Sequence, residues 1–153
     1  MGNIGVMPGE NKYEYAYVQV PTWTYPRLIG TNDLNIPYDK CHETVNGYIE
    51  IASAMQPGYE DIRIVVNDEG KIRDLPYNDY ATYLYGIPED YIAGDVLICG
   101  QGINEDGEPD IIALPIDRAG DIWLEAVLIY VGRYHDGNHS AAAESISGSS
   151  QEG

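Results

Sequence analysis

The sequence contains no phenylalanine, only two cysteines and only eight basic residues among its 153. None of its apolar runs approaches the ~20 residues of a transmembrane helix, which excludes a membrane-spanning class. The first residues lack the basic and apolar regions of a secretory signal, so we expect a cytoplasmic protein. Cys41 and Cys99 are far apart and in no metal-ligand spacing. This favours reduced structural thiols over a disulfide or a metal site.

The sequence also offers few groups for catalysis. Cys41 precedes His42, but side chains adjacent in sequence usually point apart, and a nucleophile must lie within hydrogen-bonding distance of its base. The other histidines, His135 and His139, lie in or beside a C-terminal segment rich in Gly, Ser and Ala. We therefore expect a protein that is not an enzyme and has no cofactor.

Two local patterns resemble ligand-binding loops, and both depart from their templates. Residues 104–110 concentrate oxygen ligands, but Leu114 and Pro115 stand where an EF-hand needs a glutamate. The Gly-Gln-Gly sequence at residues 100–102 follows a predicted strand, as a dinucleotide-binding turn does, yet Glu105 replaces the third glycine. The acidic residues there would repel phosphate. The sequence thus predicts an acidic hairpin loop and no metal site.

Net charge is the strongest signal in the composition. The chain has 25 acidic and 8 basic residues, which gives a net charge of −17. Residues 60–110 contain 13 of the acidic residues and only 3 of the basic ones. Such a surface repels nucleic-acid phosphates and anionic membranes, and it attracts basic proteins at long range. Acidity also improves solubility, and that simpler interpretation stays open.

Tyrosine takes the place of phenylalanine, with 14 residues. Because a buried tyrosine needs a hydrogen-bond partner, this number predicts partly exposed rings. Tyrosine is common at protein interfaces and also stacks on nucleobases, whereas a small core built with tyrosine is the simpler alternative. The spacing of Tyr77, Tyr80 and Tyr83 would place their rings along one side of a helical turn.

Alternation of apolar and polar residues predicts a sheet. Residues 48–51 and 62–66 have the period of two that half-buried strands show. Residues 67–70 have turn chemistry, and residues 71–75 resume the alternation, which predicts a hairpin. Strands are predicted at residues 13–20, 47–51, 61–67, 71–75, 96–99 and 110–114.

The rest of the chain completes an α+β prediction. Apolar residues at helical spacing predict a helix over residues 117–131, although the β-branched residues 127–131 leave a strand open as an alternative. Three prolines predict a structured loop over residues 22–40. We expect a single domain over residues 1–134, with a mixed, mostly antiparallel sheet and one C-terminal helix packed on a face. Residues 135–153 have little to bury and are predicted to be a disordered tail.

Three stretches also carry a family resemblance. They are VNGYIEI at residues 45–51, NDEGKIRDLPYN at 67–78 and IAGDVLICG at 92–100. Together with their surroundings, over residues 45–127, they resemble the DUF3846 family, a small domain of phages and bacterial mobile elements. Residues 79–85 depart from the family pattern. The resemblance implies a bacterial host cell as the location, and it implies no established catalytic residues.

Charge and context together predict a non-enzymatic binding protein of the anti-defence type, such as an anti-CRISPR or anti-restriction inhibitor. Its acidic surface would mimic DNA, with carboxylates replacing phosphates in the basic channel of a nuclease or another host defence factor. No direct contact with nucleic acid or membrane is expected, and a homo-oligomer stays open. The expected interaction surface consists of Asp79, Tyr80, Tyr83, Glu89, Asp90, Glu105, Asp106, Glu108 and Asp110.

Two alternatives belong to other functional classes. One is a sponge that sequesters a nucleotide immune signal, with tyrosine rings stacked on the base and a small basic patch holding the phosphates. Its site would consist of Arg63, Lys71, Arg73 and Tyr77. The other is an accessory domain with no inhibitory role. A nucleotide bound at stoichiometric levels would favour the sponge.

Overall fold

A computed structural model of the protein describes residues 12–135. These residues form seven strands and three helices. The strands are β1 (Tyr15–Val20), β2 (Arg27–Thr31), β3 (Ile49–Ser53), β4 (Ile62–Asn67), β5 (Val96–Ile103), β6 (Pro109–Ile112) and β7 (Leu114–Pro115). The helices are α1 (Tyr38–Val45), α2 (Asp79–Tyr85) and α3 (Ile116–His135).

All seven strands belong to one sheet. Five of them follow the order β2-β1-β5-β4-β3, while β6 pairs with β5 and β7 pairs with β1. The pairings between these strands are antiparallel throughout. The predicted α+β domain with a mostly antiparallel sheet is therefore confirmed.

The helices α2 and α3 cover one face of this sheet. Ala119, Ile122 and Ala126 of α3 are at most 1% exposed and lie at helical spacing, so the helix buries one stripe against the strands. The helix predicted over residues 117–131 is confirmed, and α3 extends from Ile116 to His135. The strand alternative for residues 127–131 is wrong, since these residues lie inside α3.

Among residues 12–135, the helix on the opposite face is α1, which has eight residues. Its Cys41 and Val45 are buried in a second core cluster with Val65, Leu97 and Cys99. The buried positions on β4 and β5 thus alternate between the two clusters, as the period of two along a strand requires. Within the described residues, α1 covers the middle of its face and leaves the ends of β3, β5 and β6 uncovered.

Asn78 connects α2 to the sheet. Its side chain is 2% exposed, and its Nδ2 donates to the carbonyl oxygens of Val20 and Gly94, both at 2.9 Å. Its Oδ1 accepts a hydrogen bond from the backbone N–H of Ala81 at 3.1 Å, which makes it the N-cap of α2. At the other end of α2, Gly86 takes the left-handed conformation with φ 68°.

The predicted strand at residues 71–75 is wrong. The chain there forms consecutive turns, in which the N–H of Arg73 donates to the Glu69 carbonyl at 2.9 Å, and Asp74 has a φ of 55°. The alternation of apolar and polar residues does not produce a buried face here, because Ile72 is 85% exposed. The hairpin partner of β4 is instead the preceding strand β3.

The predicted loop at residues 22–40 is also wrong, because it contains β2 and the start of α1. Pro26 stands just before β2, where its missing N–H breaks no ladder hydrogen bond. Gly30 of β2 is needed for packing, since a Cβ there would lie 2.3 Å from Cδ2 of Tyr13. Of the predicted tail, residues 136–153 lie outside the described part of the chain.

Candidate functional site

A groove runs along the sheet beside α1. It encloses about 560 Å³ between the flank of the helix and strands β3 to β6. Among the residues that line this α1-side groove are Ile36, Tyr38, Ile49, Ile51, Ser53, Arg63, Gln101, Asp110 and Ile111. The three isoleucines of β3 and β6 and a few polar groups make it the kind of concavity that binds ligands or peptides.

Arg63 forms the polar part of this groove. Its Nε donates to Oε1 of Gln101 at 2.8 Å, and its Nη1 donates to the backbone carbonyls of Glu60 and Ile62 at 3.0 and 2.9 Å. The guanidinium group is thus held by neutral oxygens and not by a carboxylate. Its positive charge therefore lies in a groove that isoleucines and a few polar side chains line.

Cys41 lies at the base of the groove but is not poised as a nucleophile. It is fully buried, and burial together with the nearby Asp110 carboxylate raises the pKa of its thiol to about 11. Cys99 is buried beside it, and burial raises the pKa of that thiol as well. Reactive cysteines need a lowered pKa, so these thiols are structural.

A second concavity lies on the opposite side of β3. It encloses about 470 Å³, and Glu50, Asp68, Lys71, Tyr85 and Tyr91 are among its lining residues. We call it the α2-side hollow. Ile51 and Ser53 border both this hollow and the α1-side groove, so β3 forms the boundary between the two.

The loop between β5 and β6 carries the densest exposed acidic cluster predicted from the sequence. Oδ1 of Asn104 accepts hydrogen bonds from the N–H groups of Asp106 and Glu108 at 2.9 and 3.0 Å, so the backbone of the loop is held in place. We call Glu105, Asp106, Glu108 and Asp110 the acidic tip. All four are exposed, and within residues 12–135 none forms a salt bridge.

The other predicted interaction residues do not join the acidic tip. Glu89 and Asp90 precede β5, whereas the tip follows it, so about 25 Å of strand separates the two groups. Asp90 pairs with Lys71, and Asp79 pairs with Arg133. The acidic tip is therefore the part of the predicted surface that stays unpaired and contiguous.

The two tyrosines assigned to that surface have different environments. Tyr80 is 2% exposed and donates its hydroxyl hydrogen to Glu125 at 2.6 Å, so its assignment to an accessible surface is wrong. Tyr83 is 41% exposed and stacks on Tyr80 with ring centroids 6.1 Å apart. The prediction of partly exposed rings agrees with seven described tyrosines: Tyr13, Tyr25, Tyr38, Tyr48, Tyr77, Tyr83 and Tyr91.

The residues of the alternative nucleotide site are only partly brought together. Lys71 lies 4.8 Å from the ring centroid of Tyr91, and that ring stacks on Tyr77. Arg73 instead donates to the carbonyl of Asn46, and Arg63 lines the groove on the other side of β3. The basic patch is therefore divided, and its lysine is already paired with a carboxylate.

Sequence reasoning missed a carboxylate in the helical layer. Glu125 of α3 accepts hydrogen bonds from the hydroxyl groups of Tyr59 at 2.7 Å and Tyr80 at 2.6 Å. Burial, then the hydrogen bond to Glu125, raises the pKa of both phenols. The only available signal was the need of a buried tyrosine for a partner, and it does not identify the partner.

Two features of the described residues bear on metal and membrane binding: the grouping of metal-ligating side chains, and the length and apolarity of the helices. Between residues 12 and 135, no three His, Cys, Asp or Glu side chains are grouped so that they could hold a metal ion. No helix in the same region is long and apolar enough to cross a bilayer.

Comparison with known families decides the relationship of the chain. The model of DUF3846, a domain of unknown function, matches residues 16–120. The chain belongs to the DUF3846 family. The match covers residues 45–120 of the suggested resemblance and also β1, β2 and α1, which precede its motifs. No curated protein and no solved structure matches the chain.

The DUF3846 match contains the acidic tip and both concavities beside β3, because their residues lie between Ile36 and Ile111. Most of α3 lies beyond it, including Glu125. The surfaces available for binding thus belong to the family domain, and the carboxylate that anchors α3 lies outside the matched range.

Proposed function

We propose that this DUF3846 chain is a non-enzymatic binding protein that docks on a basic protein partner through its acidic tip. The observation that carries the proposal is the tip itself: three exposed carboxylates on a loop that Asn104 holds in place, and a fourth, Asp110, in the adjoining strand β6. Because the loop is already ordered, binding loses little conformational entropy there.

The rest of the charge distribution supports a basic partner. Three of the eight basic residues, Lys71, Arg118 and Arg133, pair with carboxylates of the same chain. The pairs leave fewer free cations at the surface, and the net charge of −17 produces a negative field that is little screened at low salt. Such a field accelerates association with a positively charged surface and opposes contact with nucleic acid.

In a phage or mobile element, the partner would be a host nuclease or another defence factor. The Lys and Arg side chains that such a protein uses for phosphates would instead receive the carboxylates of Glu105, Asp106, Glu108 and Asp110. The chain would then compete with DNA for the channel and inhibit the nuclease without chemistry of its own.

The nucleotide sponge has less geometric support. Lys71 is engaged by Asp90, while Arg63 and Arg73 lie apart from it. A phosphate would have to displace an internal carboxylate before it met a cation.

The test uses three forms of the chain as bait in a bacterial lysate. The tip variant carries Glu105→Gln, Asp106→Asn, Glu108→Gln and Asp110→Asn. The matched control removes the same four charges at exposed positions elsewhere: Glu14→Gln, Glu43→Gln, Glu69→Gln and Asp121→Asn. We expect wild type and control to retain a basic protein that duplex DNA elutes, and the tip variant to lose it.

Salt and small-molecule analysis complete the test. Retention on wild type should fall steeply between 50 and 200 mM salt, as it does for contacts that replace phosphates. Equal retention by the tip variant and the control would contradict the role of the tip. A nucleotide released from the purified chain at stoichiometric levels, unaffected by the tip changes, would favour the sponge.

A further inference from the structure

Strand β3 is the last strand of the sheet order, and one of its edges has no strand partner among residues 12–135. On its other side it pairs with β4 from Ile49↔Asn67 to Ser53↔Arg63. An unpaired edge exposes a row of backbone donors and acceptors to which an extended chain can add.

The hydrogen-bond register shows which groups point outward. The N–H of Asp68 donates to Tyr48 O at 2.9 Å, and the N–H of Ala54 donates to Ile62 O at 3.2 Å. Hydrogen-bonded pairs alternate along an antiparallel ladder, so the backbone N–H and C=O groups of the even-numbered positions from 48 to 54 point towards β4. The N–H and C=O groups of the three odd-numbered positions, Ile49, Ile51 and Ser53, therefore point away from the sheet.

The concavities on both sides of β3 supply space for side chains. The odd-numbered residues of β3 line the α1-side groove, whereas Glu50 and Ala52 line only the α2-side hollow, which Ile51 and Ser53 also border. An added strand would send alternate side chains into one concavity and then the other. Volumes of about 560 and 470 Å³ accommodate large side chains on both faces.

The chemistry of the two concavities differs. A side chain opposite Ile51 would meet the apolar floor formed with Ile49 and Ile111. A side chain opposite Glu50 would meet Glu50 and Asp68, while the nearby Lys71 is paired with Asp90. The first position selects an apolar residue, and the second selects a basic one.

We infer that the free edge of β3 binds an extended segment of another protein, in which apolar and basic side chains alternate. A second copy of this chain is the less suitable occupant, because two chains of net charge −17 repel each other. The binding mode is β-strand addition, in which backbone bonds give affinity and the concavities give sequence preference. It shares only Asp110 with the acidic tip, and either can fail without the other.

The probe is a labelled heptapeptide, Ser-Lys-Ile-Lys-Val-Lys-Ser, whose binding is followed by fluorescence anisotropy. Two N-methylated forms of this peptide each carry two added methyl groups, so they have the same composition and differ only in the methylated positions. For a strand added antiparallel to β3, N-methylation of Ile and Val blocks the N–H groups that face β3, whereas N-methylation of the first two lysines blocks groups that point away. We expect the first form to lose at least about tenfold in affinity and the second to bind like the parent.

Variants of β3 test the same contact from the protein side. Ile51→Pro removes one outward N–H without touching the β4 ladder, since proline is tolerated on edge strands, and Ile51→Val is its control. Glu50→Lys should weaken binding of the lysine peptide and strengthen binding of Ser-Glu-Ile-Glu-Val-Glu-Ser. A triple variant, Glu105→Gln, Asp106→Asn and Glu108→Gln, leaves the groove residue Asp110 unchanged and should bind the heptapeptide through β3 with at most a modest loss from its reduced net charge.

Hydrogen exchange of the Ile51 amide distinguishes the other occupants. We expect fast exchange in the free protein and protection once the peptide is bound. Protection of this amide in the free, monomeric protein would show that the chain covers its own edge and would overturn the inference. A dimer that Ile51→Pro dissociates, or equal binding of the two methylated peptides, would also overturn it.

Discussion

The two faces of the sheet differ in how much they bury. Seventeen buried hydrophobic residues form the core under α2 and α3, against eight under α1. The first face is closed by a helix of 20 residues, while the second leaves a groove of about 560 Å³ beside a helix of eight. The comparison indicates that one face buries most of the core, whereas the other leaves a concavity open beside α1.

The largest expected effect is the difference in stability between a substitution at a buried position and the same substitution at an exposed one. Ile64 is fully buried on the α2/α3 face, so Ile64→Asp should cost several kcal/mol and lower the thermal midpoint drastically or prevent folding. Ile51 is 43% exposed in the α1-side groove, and Ile51→Asp should cost less than about 1 kcal/mol. Thermal unfolding of both variants measures the difference, and equal midpoints would contradict the assignment of the two faces.

An intermediate effect concerns the polar contacts of each face. Glu125→Leu leaves the buried Tyr80 hydroxyl without its acceptor, which should destabilise the chain by about 1–3 kcal/mol. On the other face, Thr44→Val removes the part-buried hydrogen bond from Gln19 to Thr44, and should cost about 1 kcal/mol or less.

Denaturant unfolding of the two variants gives both values. Adding Tyr80→Phe to Glu125→Leu should restore part of the loss, because the unsatisfied hydroxyl is then removed. A Glu125→Leu variant as stable as wild type would show that Glu125 does not anchor α3.

The smallest expected effect is a loss of folding stability as pH rises. It begins at a lower pH for the thiols of the α1 face than for the phenols of the other face. Folding raises the pKa of Cys41 from 9.0 to about 11 and also raises that of Cys99, so the folded state holds thiol protons that the unfolded state loses above pH 9. Their stabilisation is complete below pH 9 and declines as pH rises through the folded pKa. The phenols of Tyr59 and Tyr80, also raised, begin to contribute in the same direction only above pH 10.

Chemical denaturation at pH 8.0 and 9.7 measures this dependence. We expect wild type to lose stability across the interval and Cys41→Ala to lose less, whereas Tyr80→Phe should behave nearly as wild type does. A Cys41→Ala variant with the full pH dependence would contradict the role of that thiol.

Sequence periodicity identified the elements in which one side is apolar and buried. It missed the elements whose structure depends on contacts with residues far away in the sequence. Residues 62–66 and 117–131 contain enough apolar residues at one period to define β4 and α3. β2 and α1 follow prolines and are short, and they are stabilised by pairing with β1 and packing on β5. The strand predicted at residues 71–75 had the alternation but no face to cover, so local turn bonds determine its structure.

The candidate site was predictable only where local chemistry defines it. The acidic tip is a short hairpin loop rich in carboxylates, and its exposure follows from those residues alone. The free edge of β3 depends on the sheet order, which the sequence does not encode locally. Tyr80 shows the opposite error, because its acidic neighbours in the sequence suggested a surface while its partner Glu125 lies 45 residues away.

Asn78 also has a consequence for the order of assembly. α2 has only seven residues, far fewer than the ~12–15 at which an isolated helix becomes even marginally stable. The side chain that caps it is oriented by carbonyl oxygens 58 residues before it and 16 after it. α2 therefore has no independent existence in the unfolded chain. It becomes a helix only when Val20 and Gly94 have been brought together, so its formation reports closure of the sheet centre rather than initiating it.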